Sequence, residues 1–230
     1  LLAALAAASA ACAAVPRDAL SDAVDGATCE YYNRGAGGAW RHRGGRLPTD
    51  AQWVQAAYTE PVATSLAVLK SGILPEETGA ILGRNRFSEL MQLILDIYGF
   101  PKLPVFDLAD EKDKKELAAN ESTFDYVIET YASTDVIKAM VKAIKPGGIM
   151  VLKSRQFEPV EFRLVDVLKK EPVVHVVNYG SFDDALKLLT SDRLNIDHLV
   201  DDVYSLEDFE KVFAYTHNSE NLKSFFDPKL

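Results

Sequence analysis

The residues with the clearest chemical potential are Gly83-Arg84-Asn85-Arg86-Phe87-Ser88, lying between a short apolar run, AILG (80–83), and an amphipathic stretch, FSELMQLILDIYG. A strand that turns through glycine into a helix aims backbone N–H groups and the positive end of the helix at an anion, so the chemistry on offer is phosphate binding. A complete loop of this kind reads G-x-G-x-x-G, because the tight turn, the close approach to a pyrophosphate and the helix packing each require a missing side chain. Here only the first glycine is present. Asn85 stands where a Cβ crowds the phosphate, although Asn accepts left-handed backbone more readily than most residues, and Ser88 is small enough to pack. Arg84 and Arg86 either pair with phosphate or lie on a solvated loop. Asp107 follows Gly83 by 24 residues, at the end of the run LPVFD (103–107). A carboxylate there accepts hydrogen bonds from ribose hydroxyls and disfavours a 2′-phosphate, so a bound dinucleotide is expected to be NAD rather than NADP. The charged segment that follows, DLADEKDKKE, makes an equal case for Asp107 as a cap.

Other chemistry finds little support. The four histidines (His42, His175, His198, His217) are scattered, and none shares a local motif with a Ser or Cys nucleophile. His175, inside the apolar run VVHVV, is expected to be a buried and satisfied imidazole. The only cysteines are Cys12 and Cys29, which cannot supply a disulfide framework or a Cys-rich zinc site and are expected to be free thiols. Cys29 and His42 flank a Gly-rich stretch without metal-ligand spacing. No residue is assigned to catalysis or to a metal. A net charge of −9 and a pI near 5.0 repel a phosphate backbone, and no local run of Lys or Arg reverses that, which argues against a nucleic-acid partner.

The 230 residues, 48% hydrophobic and 26% charged, suffice for one sizeable core or two small ones. The chain opens with LLAALAAASAACAAV, too short to span a membrane as a helix. It suits a packed Ala-rich helix or a remnant of a targeting segment. GATCEYYNRGAGGAWRHRGG (26–45) is a loop composition, so residues 1–49 are expected to form an irregular arm and 50–230 the folded domain. DAQWVQAAYTEPVATSLAVLKSG has helical spacing and divides at Pro61 into two adjoining segments. Beyond Gly79, short apolar runs alternate with amphipathic stretches, the pattern of parallel strands joined by crossover helices. AILG, LPVFD, DYVIET (125–130), IMVLKS (149–154) and VVHVVNY are the expected strands. Ser181 and Ser205 are expected N-caps. Only 17 residues separate Asp107 from Asp125, fewer than the roughly 25 that a crossover helix and a further strand need, so one of the two is shortened or absent and one edge of an adenine pocket with it.

Three segments in order carry a family resemblance: RLPTDAQWVQAAYTEPVATSLAVL, FDYVIETYASTDVIKAMVKAIKPGGIMVLKS and VYSLEDFEKVFAYTHNSENLKSFFDP. Together they resemble the medium-chain dehydrogenase/reductase superfamily of zinc-type alcohol and polyol dehydrogenases, across residues 46–228. The resemblance implies an α/β, three-layer Rossmann-like domain with a mostly parallel, shortened sheet. It also implies that Glu60 matches a family glutamate near the metal, while the other metal ligands, carried mainly by an N-terminal barrel, have no counterpart here. Two functions are therefore expected. The first is a dehydrogenase-derived, catalytically inactive structural or interaction subunit. The alternative is an NAD-dependent zinc-type alcohol or polyol dehydrogenase represented by a fragment. The resemblance further implies a homodimer or protein partner at the sheet edge near His175–Gly180. Membrane contact is expected only through the arm, and the compartment stays open among plastid, mitochondrion and cytoplasm.

Overall fold

The computed structural model describes residues 57–191, 193–218 and 222–227. The expected arm, with Cys12, Cys29 and His42, lies outside them. The described chain folds as a Rossmann-like α/β domain around a five-stranded parallel sheet. Its strands are β1 (Gly79–Leu82), β2 (Val105–Phe106), β3 (Phe124–Glu129), β4 (Ile144–Leu152) and β5 (Val173–Val176), in the spatial order β2-β1-β3-β4-β5. Helix α1 (Thr59–Leu66) precedes β1; α2 (Arg86–Ile97), α3 (Glu111–Ala119), α4 (Thr134–Ala143) and α5 (Leu164–Leu168) run between the strands, and α6 (Phe182–Leu189) follows β5. Strand β6 (Val200–Ser205), helix α7 (Phe209–Asn218) and strand β7 (Lys223–Asp227) close the chain, with β6 and β7 pairing in a separate two-stranded parallel sheet.

The three layers follow from the strand period of two. Ala80, Leu82, Val127 and Met150 face Leu117 of α3 and Val136, Ile137 and Met140 of α4. Their alternating neighbours Ile81, Tyr126, Ile128 and Val151 face the opposite way, against Met91 and Leu95 of α2. A third cluster joins Val62 and Leu66 of α1 to Leu90 and Ile94 of α2 and to Ala185, Leu188 and Leu189 of α6. Helix α2 thus buries Leu90, Met91, Ile94 and Leu95 almost completely, each contributing about 1.5–3 kcal/mol of hydrophobic stabilisation.

Several expectations are refined. The 17-residue gap holds a crossover helix, α3, and no further strand, so the two-residue β2 becomes the edge of the sheet. Pro146-Gly147-Gly148 falls within β4, where the register to β3 shifts between Phe124 and Tyr126; Gly147 has φ +76 and Gly148 packs against the Asp125 carbonyl. Pro61 sits in the first turn of α1, where a missing N–H costs nothing, and a short 3₁₀ segment, Ala67–Ser71, continues the helix. Ser181 accepts a hydrogen bond from Asp184 N as the N-cap of α6, and Ser205 caps the short turn before α7.

His175 corrects an expectation. It lies on β5, the other edge strand, and is only partly buried, while Val173, Val174 and Val176 beside it are 49%, 47% and 81% exposed. The apolar run reads as interior, but no sixth strand covers it in the described sheet. Among the described residues no helix is long and apolar enough to cross a membrane.

Candidate functional site

In a parallel sheet all strands end at the same edge, and a crevice opens where successive connections leave in opposite directions. Here β2 lies on one side of β1 and β3 on the other, so the crevice stands above the carboxyl ends of β1 and β3. Gly83 closes β1 with φ +107, and a Cβ on it would lie 2.5 Å from Thr130 Oγ1 and 3.3 Å from Tyr131 N. The loop and the end of β3 therefore touch backbone to side chain, with Thr130 Oγ1 donating to Gly83 O at 3.0 Å and accepting from Asn85 Nδ2 at 3.1 Å.

Asn85 departs from its expected place. Its backbone is extended (φ −156, ψ 178) and it is the N-cap of α2: Oδ1 accepts from Phe87 N at 2.9 Å and from Ser88 N at 3.2 Å, while Ser88 Oγ accepts from Asn85 N at 3.0 Å. This reciprocal capping box places on a side chain the helix N–H groups that a phosphate would use. Ser88 is buried, as its size suggested.

Arg84 turns away from the loop. Its Nη2 donates to Asp113 Oδ2 at 2.5 Å and to Val105 O at 3.0 Å, tying the β1 turn to β2 and α3. That pairing raises the arginine above its ordinary value, and backbone donation from Asp107 together with Arg84 holds the Asp113 carboxyl below its own. Asp107 directly follows β2, and its Oδ1 accepts from Ala109 N at 2.9 Å in the turn; the cap of α3 is Asp110, which accepts from Lys112 N, and not Asp107.

Arg86 instead enters a cleft of about 80 Å³ lined by Tyr58, Glu60, Pro61, Phe87, Leu90 and Lys223. Its Nη1 donates to Leu222 O at 3.3 Å. Lys223 donates to Ala57 O at 2.8 Å, and burial lowers its basicity, with Glu60 opposing and Arg86 adding to the shift. Tyr58 donates to Leu199 O at 2.5 Å, and burial pushes its phenol up to about 12. Glu60 pairs with Arg155 at 3.1 Å, and Arg155 also donates to Asn178 Oδ1 at 3.2 Å. From β4, Lys153 brings Nζ to 4.6 Å from the Phe87 ring centre, while the fully buried Glu129 accepts from Lys153 N at 2.6 Å and Ser154 N at 2.8 Å.

Four cations, Arg86, Lys153, Arg155 and Lys223, are thus placed around α2's first turn and Glu60. They are spread along the sequence, so inspection of local charge runs misses them; the signal was Lys153 and Arg155 at the end of an expected parallel strand, since all such strands end at one edge. Among the described residues no group of three His, Cys, Asp or Glu side chains could hold a metal ion.

No family model matches the chain. It is 27% identical over 179 residues to a protein named "Putative D-xylulose reductase" from Rhizobium meliloti, covering 67% of this chain and 52% of that one. A protein of the same name from Agrobacterium fabrum is 26% identical over 187 residues, covering 71% and 53%. The chain therefore spans about half the length of the curated relatives it matches. Among solved structures, L-idonate 5-dehydrogenase from Escherichia coli superposes with a TM-score of 0.67 at 17% identity, covering 78% of this chain and 59% of that one. 2R,3R-butanediol dehydrogenase from Bacillus subtilis gives 0.64 at 20% identity, covering 76% and 58%. Sequence relatives and fold thus both support the resemblance to the medium-chain dehydrogenase/reductase superfamily.

Proposed function

We propose that the chain is the dinucleotide-binding part of an NAD-dependent oxidoreductase acting on alcohols or polyols and their carbonyl counterparts. The observation that carries this reading is the crevice at the sheet's switch point, where Gly83 lets the loop approach closely and Arg86 and Lys223 bring positive charge to the first turn of α2. In an acidic chain that local concentration of cations suits a pyrophosphate. Arg86 and Lys223 would hold the phosphates, and the Asp107 carboxylate would accept from a ribose hydroxyl through the oxygen not engaged with Ala109. Because Asn85 caps α2, phosphate affinity rests on side-chain cations more than on helix amides. When bound, the nicotinamide group supplies hydride transfer; the chain's own part is to orient it and to keep its charge paired. The described residues do not assemble a zinc site, and no step is assigned to one.

A dehydrogenase-derived subunit that docks without cofactor is the rival reading, and the capping of Phe87 N and Ser88 N by Asn85 favours it. A fluorescence titration with NADH separates the two. The proposed reading expects saturable binding that Arg86→Ala weakens about tenfold, the loss of one charge-assisted hydrogen bond of about 1.4 kcal/mol. Equal affinities in the two proteins, or none in either, would favour the docking subunit.

We also propose that the exposed β5 edge pairs with the same edge of a second copy. Its apolar side chains and unpaired backbone suit strand addition about a two-fold axis. Sedimentation velocity should find a dimer that Val176→Lys dissociates; a monomeric parent protein at micromolar concentration would reject the pairing.

A further inference from the structure

Lys153 is a basic group at the carboxyl edge of the sheet whose ammonium rests against an aromatic ring. It leaves β4 at the mouth of the crevice, is only partly buried, and lays its ammonium group 4.6 Å from the centre of the Phe87 ring. Within the described structure its Nζ has no hydrogen-bond or ion-pair partner. Glu129, on the neighbouring strand, spends Oε1 on the backbone N–H groups of Lys153 and Ser154, and its buried Oε2 has no hydrogen-bond partner. Charged groups face Lys153 from every packed element: Glu129 from β3, Glu60 from α1, Arg155 from the segment after β4, and Arg86 on the ring of Phe87 from α2. Both carboxylates favour the charged amine and Arg155 opposes it, but desolvation beside the aromatic ring outweighs them.

We propose that Lys153 is a carbonyl-reactive lysine, which condenses with small aldehydes or ketones that enter the crevice. The Nζ lone pair attacks the carbonyl carbon and forms a carbinolamine. Loss of the former carbonyl oxygen as water, with the two protons from nitrogen, then leaves an imine. The reaction needs no oxidant, reductant or metal, and it stands whether or not a dinucleotide binds. Burial is the main cause that brings this lysine down to about 8, with Glu129 and Glu60 opposing the shift and Arg155 adding to it. At neutral pH about a tenth of Lys153 is then free amine, against less than about a thousandth for an ordinary lysine near 10.4.

The test incubates the full chain with glycolaldehyde and cyanoborohydride, which reduces the imine to a stable secondary amine, and measures adduct formation by peptide mass spectrometry. At pH 7, Lys153 should acquire the adduct at least about tenfold faster than the exposed Lys112 and Lys138, because its larger free-amine fraction outweighs the lower nucleophilicity of a weaker base. That advantage should shrink as the pH rises through 8 to 10. Lys153→Arg should remove this adduct and leave those at Lys112 and Lys138 unchanged. Labelling of Lys153 no faster than the exposed lysines at pH 7 would overturn the proposal, and the parent chain alone suffices for that comparison.

Discussion

Glu129→Ala is expected to destabilise the fold by about 3 kcal/mol, read as a lower midpoint of urea denaturation. The side chain is fully buried, and its Oε1 accepts from both Lys153 N and Ser154 N across the gap between β3 and β4. Removing it leaves two backbone donors without their partner, at about 1–3 kcal/mol each, and only partial relaxation offsets the loss. Glu129→Gln keeps an oxygen in the same place and should cost much less, which separates lost acceptance from lost volume. An alanine variant as stable as the parent would mean that the donors find other partners and that β3 and β4 do not depend on this bridge.

Gly83→Ala is expected to act on both stability and binding. At φ +107 an L-residue is strained, and the added methyl would meet Thr130 Oγ1 at 2.5 Å, an atom already committed to Gly83 O and Asn85 Nδ2. The combined cost is about 2–3 kcal/mol in stability, with loss of NADH affinity by tenfold or more as the β1 turn is pushed from β3. Gly72→Ala is the control. It also has positive φ (+78), but no atom lies within 4 Å of where its methyl would go, so it should cost only about 1 kcal/mol and leave NADH binding alone. Equal effects at the two glycines would show that contact with Thr130 carries no weight.

These variants also show which parts of the molecule were legible from sequence. Alternating apolar runs and amphipathic stretches placed the five strands and helix α2, since burial on both faces or on one stripe leaves a period in the chain; β4 begins five residues earlier than its apolar run, and the five-residue α5, with no buried residue, left no such period. The missing strand beside β2 was legible as a length too short to hold it. Asn85 was a harder case. Its type and the Ser three residues on are the marks of a capping box, but weighing it against a phosphate-loop pattern placed it in the wrong backbone region. The attachment of Arg84 to Asp113, 29 residues away, and the gathering of Lys153, Arg155 and Lys223 near Arg86 depend on which strands end side by side. Local spacing does not record that. The apolar run around His175 showed hydrophobicity but not whether a neighbouring strand would cover it.

A dinucleotide seated where β1 and β3 end is what the proposed oxidoreductase requires above all. Amide chemical-shift mapping of the chain during titration with NADH tests this most directly. Saturable shifts concentrated at Gly83, Arg86, Phe87, Thr130 and Tyr131 are the result predicted. Unchanged amides at millimolar NADH, or shifts confined to residues away from the carboxyl edge of the sheet, would contradict it.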